Sequence, residues 1–567
     1  MEYIVAILVI VGILIAKLFY DNKRTKERIL DTIHARWGTL PDRELTGEQL
    51  VAIRSYYEAV KRPNLDIDDT TWNDVSMDEI FTLINNTSCT IGEEYLYAML
   101  RMPAMDTETL EERERLIRYY QEHVEERIEL QKAMYQMGKL RGGSYYEELH
   151  HVTEYAQEKK IHIVYCFALL LSFAGIIWSG ITGIGLKYTI LFMVACVANN
   201  IITYFRRKSE IERYVNVLSH TTRLLYSVDL LLAMKSNQLK PYEKTLKSAK
   251  KQFASFRRKT KFVASGNNMA GDISDVFFDY IRMLFHIDLI FFDRLVKELD
   301  RKQQDIRELY EVIGKLDSAV AIASFRTYLK ESQGEYCVPK LTRQAKPKLS
   351  AVDMYHPLIE NPMKNSISEN KGVLITGSNA SGKSTFIKTV AINGILAQTI
   401  HTCTCLSYVA SFFKIYSSMA LTDNLLGNES YYIVEIKSLK RIIDQNNERI
   451  PALCFVDEVL RGTNTLERIA ASSRILKYLA ELNILCFAAT HDIELTYILE
   501  KYFANYHFEE EVKEEQVVFN YELKRGRATT RNAIKLLKMM GYPDKVIEDA
   551  SNEVTHFMET GVWNSYS

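Results

Sequence analysis

Val373-Leu374-Ile375-Thr376-Gly377-Ser378-Asn379-Ala380-Ser381-Gly382-Lys383-Ser384-Thr385 reads as an apolar strand, a glycine-rich turn and the start of a helix, with the spacing G-x-x-x-x-G-K-S/T. Polyphosphate binding asks for this order. Gly377 and Gly382 let the backbone curl, so that successive N–H groups point at one anion. Lys383 adds a point charge for the outer phosphates, and the Ser384 hydroxyl is a ligand for Mg²⁺. Gly377, Ser378, Asn379, Ala380, Ser381, Gly382, Lys383, Ser384 and Thr385 are the expected cradle. The stretch predicts a nucleoside triphosphate as ligand.

Two further strands carry matching chemistry. Pro451-Ala452-Leu453-Cys454-Phe455-Val456 reads as a buried strand and ends in Asp457-Glu458. The first carboxylate suits the Mg²⁺ shell, and the second is placed to orient and deprotonate an attacking water. Ile484-Leu485-Cys486-Phe487-Ala488-Ala489 is another apolar strand, ending in Thr490-His491, where a histidine can sense the γ-phosphate. Alone, an Asp-Glu pair is a strand end meeting solvent and a Thr-His is unremarked. In this order behind a phosphate loop, Lys383, Glu458 and His491 are the expected catalytic residues, with Ser384 and Asp457 on the metal.

These motifs resemble the ATPase domain of the MutS family of DNA mismatch-repair proteins. The family's T-G-P-N-M-G-G-K-S-T is matched by residues 376–385, and its D-E-I-G-R-G-T-S-T by Asp457-Glu458-Val459-Leu460-Arg461-Gly462-Thr463-Asn464-Thr465. A-T-H-x-x-E-L is matched by Ala489-Thr490-His491-Asp492-Ile493-Glu494-Leu495. R-H-P-V-V-E, near the adenine site, is similar to Tyr355-His356-Pro357-Leu358-Ile359-Glu360, making Tyr355 and His356 candidates for adenine stacking. The loop D-D-L-x-x-G-x-S-T-F-x-x-E is matched loosely by Asp423-Asn424-Leu425, Ser430 and Glu435. Tyr431 stands there for the Thr, and Glu429 where an Arg is common. The resemblance implies ATP and Mg²⁺ as cofactors. It also implies a homodimer through the ATPase domains, in which Ser430 reaches the partner's nucleotide.

Upstream, Asn86-Thr87-Ser88-Cys89-Thr90-Ile91-Gly92, then Leu100-Arg101-Met102-Pro103 and Asp106, are similar to the start of the family's helical core. Leu316-Asp317 and Cys337-Val338-Pro339 resemble its return to the ATPase domain. No match to the family's mismatch-recognition wedge, connector or DNA clamp is found. About 70 residues precede the matched core, too few for the first two domains.

The chain holds apolar blocks instead. Residues 3–20 are almost wholly apolar, followed by Lys23, Arg24, Lys26 and Arg28, and without a clear small-residue cleavage site. An uncleaved anchor with its N-terminus outside is expected. A second block, about 161–205, is long enough for two helices of roughly 20 residues, broken around Gly180, Thr182, Gly183 and Gly185. Lys159, Lys160, Arg206, Arg207 and Lys208 flank it, which predicts a hairpin with both ends cytoplasmic. The competing reading is a buried hairpin of a soluble core.

The formal net charge is −1 over 567 residues, so bulk charge selects no partner. The eight cysteines are scattered, with Cys403-x-Cys405 the one close pair. That usage predicts reduced thiols without a disulfide framework or metal site. Lys244, Lys247, Lys250, Lys251, Arg257, Arg258, Lys259 and Lys261, interleaved with Phe253, Phe256 and Phe262, form a basic stretch. It fits DNA phosphates, anionic lipid or a solvated helix face.

The sequence therefore predicts an α/β P-loop ABC-like ATPase domain plus an all-α MutS-type core, with three transmembrane helices. The expected divisions are an anchor at 1–20, helical core at 21–160, a membrane hairpin at 161–205, core again at 206–345 and the ATPase domain at 346–567. The expected setting is the cell membrane, multi-pass, with the ATPase domain cytoplasmic. Two functions stay open. One is a membrane-anchored ATPase coupled to double-stranded or branched DNA, in mismatch repair or other DNA processing. The other is an ATPase whose dimer closure acts on a protein partner or the spans, without DNA.

Overall fold

The computed structural model describes residues 20, 23–25, 27–42, 44–140, 142–154, 161–264, 280–281, 283–344, 346–378, 381–419, 431–445, 449–461, 463–513, 516–528, 534, 537 and 540–564. The chain forms two compact units, one of residues 1–60, 85–98 and 115–324, the other of 61–84, 99–114 and 325–567.

The second unit is built on two sheets. The smaller holds β1 (Lys340–Thr342), β2 (Leu349–Met354), β3 (Asn365–Glu369) and β5 (Ser407–Ser411) in the order β1-β5-β2-β3. The larger holds β4 (Gly372–Thr376), β6 (Lys414–Ser418), β7 (Ala452–Asp457), β8 (Ile484–Ala489), β9 (Phe503–Lys513) and β10 (Gln516–Arg525) in the order β10-β9-β4-β8-β7-β6. Only the β9–β10 pair is antiparallel. Strands β4 and β8 are buried along their whole length, as central strands covered on both faces must be, which is why they read as unbroken apolar runs. The helix Lys383–Thr399 leaves β4 through the glycine loop and is buried along most of its length.

An ion pair ties together pieces of this unit that are far apart in sequence. The fully buried Arg326 donates to Glu114 through both terminal nitrogens, at 2.9 and 2.6 Å, and to Thr402 Oγ1 at 2.8 Å and the His401 carbonyl at 2.9 Å. Burial works to raise the Glu114 carboxyl, but hydrogen bonds from Arg326 and His401 outweigh it and hold the group down at about 2.

The first unit is helical. Its segment 86–92 meets the helix Gln303–Tyr328 at Asp317, whose buried carboxylate accepts from the N–H of Ser88 and of Cys89, each at 3.0 Å. Gly92 packs against that carboxylate so closely that a Cβ would fall 2.1 Å from Asp317 Oδ2. Two sequence segments that resemble separate parts of a MutS core thus lie in contact.

Two residues on, Glu94 is fully buried, accepting from the Tyr145 N–H at 2.8 Å and from the Tyr310 hydroxyl. Burial raises its carboxyl to about 8, although those bonds and Ser144 pull the other way. The folded chain therefore keeps a proton at pH 7 that the unfolded chain, with a carboxyl near 4.5, has lost. The associated stability is complete below about 4.5 and declines as the pH rises toward 8. Thermal midpoints measured from pH 5.5 to 8.5 should fall for the wild type and run flatter for Glu94→Gln; parallel curves would count against a buried neutral acid.

The apolar block forms the helices Ile161–Thr182 and Leu186–Ala233, joined at Gly183 and Gly185, both at positive φ. Each contains a stretch long and apolar enough to cross a membrane, Ile161–Thr182 and Leu186–Ile211, the two such helices among the described residues. The expected third span, 3–20, lies outside them. Their burial pattern is inverted relative to a soluble core. His162, Ser172, Ser179 and Asn200 are buried, whereas Trp178, Ile181 and Tyr188 are 70%, 80% and 77% exposed. The second helix continues unbroken to Ala233, beyond the end of the apolar block near 205 and into the part expected as helical core. Arg206-Arg207-Lys208 changes polarity, but no glycine or proline interrupts the helix.

The basic stretch becomes two helices, Glu243–Gln252 and Ala254–Ala264. Phe253 and Phe256 are fully buried, so neither ring is offered to a nucleic-acid base. Lys250 and Arg257 pair with Asp229 at 3.0 and 2.5 Å, Lys259 with Glu298 at 3.0 Å and Lys247 with Glu243 at 2.6 Å.

Candidate active site

The strand ends converge at one edge of the larger sheet. Register sets Val373 beside Phe487 and Asp457 beside Ala489, so the phosphate loop, Asp457-Glu458 and Thr490-His491 leave neighbouring parallel strands together. Ligands bind at this carboxyl edge in open α/β sheets. Thr490 N–H donates to the Ile375 carbonyl at 3.0 Å and Glu458 N–H to that of Ala489 at 3.0 Å, fixing the turns to one another.

Gly377 and Gly382 have φ of 152° and 105°, and both are hemmed in. A Cβ on Gly377 would lie 3.0 Å from the Phe508 carbonyl, and one on Gly382 3.1 Å from the Tyr521 ring. Lys383 opens the helix, and its Nζ donates to the carbonyls of Gly377 and Ser378 at 2.8 and 2.6 Å. Burial lowers its ammonium, against the pull of Asp457, Glu458 and Glu510. The Ser378 hydroxyl donates to Glu510. Asn379 and Ala380 lie outside the described residues.

Asp457 is raised chiefly by burial and further by Glu458, while a hydrogen bond from Ser384 and the charges of Lys383 and His491 oppose the rise. Ser384 and Asp457 are thus already in contact. Glu458 has φ of 56°, in the left-handed region. His491 Nε2 lies 2.9 Å from one of its carboxylate oxygens, and Arg461 Nε 3.0 Å from the other. Leu460 is also left-handed, with φ of 58°, where the MutS pattern has glycine. The turn is held by Glu435, a buried carboxylate that accepts from the N–H of Leu460 and Arg461.

A cavity of about 580 Å³ opens beside the loop, lined among others by His356, Met363, Lys383, Ser384, Glu458 and Tyr521. Its size suits a nucleotide. The fit has a local sign as well: the buried Ser381 Oγ at the loop has no hydrogen-bond partner among the described residues. A phosphate oxygen would supply one.

His356 lines the cavity, but Tyr355 does not, which corrects the expectation for that residue. Its ring is buried and its hydroxyl donates to the Glu335 carbonyl at 3.1 Å. The backbone explains the inversion. Thr404 Oγ1 donates to the Tyr355 carbonyl at 2.7 Å, and Thr404 is bonded in turn to Asn393 on the phosphate-loop helix. This pins residue 355 inward and leaves the next one facing the cavity. Ser430 and Asp423-Asn424-Leu425 lie outside the described residues.

Sequence reasoning missed Met363 and Tyr521. Tyr521 reaches the cavity through a register shift in β10 between Phe519 and Leu523, with its own φ at 51°. Asn365 holds that shift, donating to the Tyr521 carbonyl at 3.0 Å and accepting from Leu523 N–H at 2.7 Å. No local motif announces a bulge of this kind.

The family model for MutS domain V matches residues 373–558, the region that carries the loop, both strand-end motifs and part of the cavity wall. Residues 373–558 are thus a domain of the MutS family. The DNA mismatch repair protein MutS of Bartonella tribocorum is 29% identical over 296 residues, covering 48% of this chain and 31% of that protein. The protein of the same name from Leptospira interrogans is 30% identical over 280 residues, covering 47% and 32%. Human MutS protein homolog 4 is 26% identical over 311 residues, covering 51% and 31%. The chain spans about a third of the length of the curated relatives it matches.

Proposed function

We propose that this chain hydrolyses ATP with Mg²⁺ and couples the cycle to DNA, in mismatch repair or a related process. The observation that carries the hydrolytic reading is one connected cluster: Lys383, Ser384 and Glu458 line the cavity, Asp457 is hydrogen-bonded to Ser384, and His491 lies against Glu458. Ser384 and Asp457 would hold Mg²⁺, which supplies positive charge for the phosphate oxygens. Lys383 sits where it can trade two carbonyls for those oxygens. Glu458, clamped at both oxygens by His491 and Arg461, has a fixed direction in which to take a proton from water. A head-to-tail homodimer, with Ser430 acting in trans, belongs to the same reading.

The hairpin would anchor the chain in the cell membrane, with both its ends and the ATPase domain on the cytoplasmic side. Its outward apolar and inward polar side chains support this over a soluble core.

One observation favours a second reading, an ATPase that works on a protein or the spans without DNA. The basic stretch, the clearest local candidate for phosphate contact, spends several of its cations on Asp229 and Glu298. DNA binding by the full-length, detergent-solubilised protein with ATP, across a salt series, separates the two. Homoduplex, mismatched and branched DNA belong in the same titration. The first reading expects one DNA form to be preferred and affinity to drop by ~10³ or more between 50 and 200 mM salt. Absence of binding at low salt, with turnover intact, would remove DNA from the function.

A further inference from the structure

Cys337 meets the close pair Cys403 and Cys405, more than 60 residues away in sequence, within the second unit. Cys337 forms an isolated antiparallel bridge with Cys403, their N–H groups and carbonyls paired at 3.0 and 2.9 Å. This sets the Cys337 sulfur 3.4 Å from that of Cys405. Cys337 is half-buried, whereas Cys403 and Cys405 are buried.

The environment treats the pair unequally. Hydrogen bonds from the Cys403 and Cys405 thiols lower Cys337, aided by the Tyr408 N–H and the charge of Arg326, against burial. The same contact with Cys337 pushes Cys405 up. A reachable thiolate beside a protonated, shielded thiol is the arrangement in which oxidation is fast and a resolving partner is at hand. The chain contains its own comparison. Cys454 and Cys486 are register partners on β7 and β8, but both are buried and Cys486 is raised by its neighbour and by burial.

We propose that Cys337 and Cys405 are an oxidisable dithiol, a modification site for hydrogen peroxide. The Cys337 thiolate attacks one peroxide oxygen, the O–O bond breaks, and hydroxide leaves to be protonated to water. Cys337 is then a sulfenic acid. The Cys405 sulfur, losing its proton, attacks the Cys337 sulfur; the S–O bond breaks and a second water leaves. Two thiols and one peroxide become one disulfide and two waters.

The test exposes full-length, reduced protein in detergent to hydrogen peroxide, alkylates remaining thiols at intervals and maps the peptides by mass spectrometry. Expected is a Cys337–Cys405 crosslink with a mass loss of about 2 Da, reversed by dithiothreitol. It should form at least about tenfold faster than any oxidation of Cys454 or Cys486. In Cys405→Ser, Cys337 should stop as the sulfenic acid and be trapped by dimedone. Oxidation of Cys337 no faster than that of Cys454 and Cys486, or a crosslink to Cys403 instead, would overturn the proposal. The wild-type time course decides this even where a variant folds poorly.

Discussion

Glu458→Gln should bind ATP with affinity within a few-fold of wild type and turn it over ~10²–10⁴ times more slowly. The amide keeps the shape of the carboxylate, and the left-handed backbone at this position is undisturbed by an isosteric change. What it removes is the basic carboxylate, able to take a proton, that His491 and Arg461 hold in place. In the proposed reading nucleotide affinity would rest mainly on other groups, namely the loop N–H groups and Lys383. Equilibrium binding of a fluorescent ATP analogue and steady-state phosphate release, run on the same preparation, give both numbers. Turnover retained within a factor of about three would exclude Glu458 as the base; lost binding would mean the substitution had damaged the site instead.

The second large effect concerns stability. Glu114→Ala leaves the Arg326 guanidinium buried without its bidentate partner, at a cost of about 3–5 kcal/mol. The thermal midpoint of the second unit should fall by on the order of 10 °C. Replacing both residues together with apolar ones should cost less than Glu114→Ala alone, because no charge is then stranded. The wild-type pair also carries a pH signature. Its folded carboxyl lies at about 2 against an ordinary 4.5, so its contribution is complete above about 4.5 and disappears as the pH falls through about 2. Midpoints that fall on acidification in the wild type and stay flat in the double variant would identify this pair as the source. Equal acid profiles would assign the loss to other carboxylates.

The parts of the fold that sequence made legible share one property: a long apolar run ended abruptly by residues with a chemical job. β4, β7 and β8 are buried nearly throughout, so hydropathy alone outlines them, and the phosphate loop, Asp457-Glu458 and Thr490-His491 mark their ends. What stayed hidden depends on pairings that no spacing encodes. Tyr521 enters the cavity because Asn365, in another sheet, stabilises a bulge. Tyr355 and His356 are adjacent, and the Thr404 bonds decide which one faces the cavity. Cys337 meets Cys405 across 68 positions through a single strand bridge. At Arg206 the sequence changes polarity without changing conformation, so the edge of the apolar block says nothing of how far the helix runs.

That last feature has a mechanical meaning. The helix Leu186–Ala233 runs 48 residues, about 70 Å, with no glycine or proline to serve as a joint. Its first half shows apolar side chains outward, while Val217, Leu218, Leu224, Val228 and Leu231 of its second half are packed inside the helical unit. One rigid rod therefore fixes the azimuth of both halves, each residue between them accounting for about 100° of phase. Torque applied to the packed half is delivered to the apolar half with no pivot to absorb it.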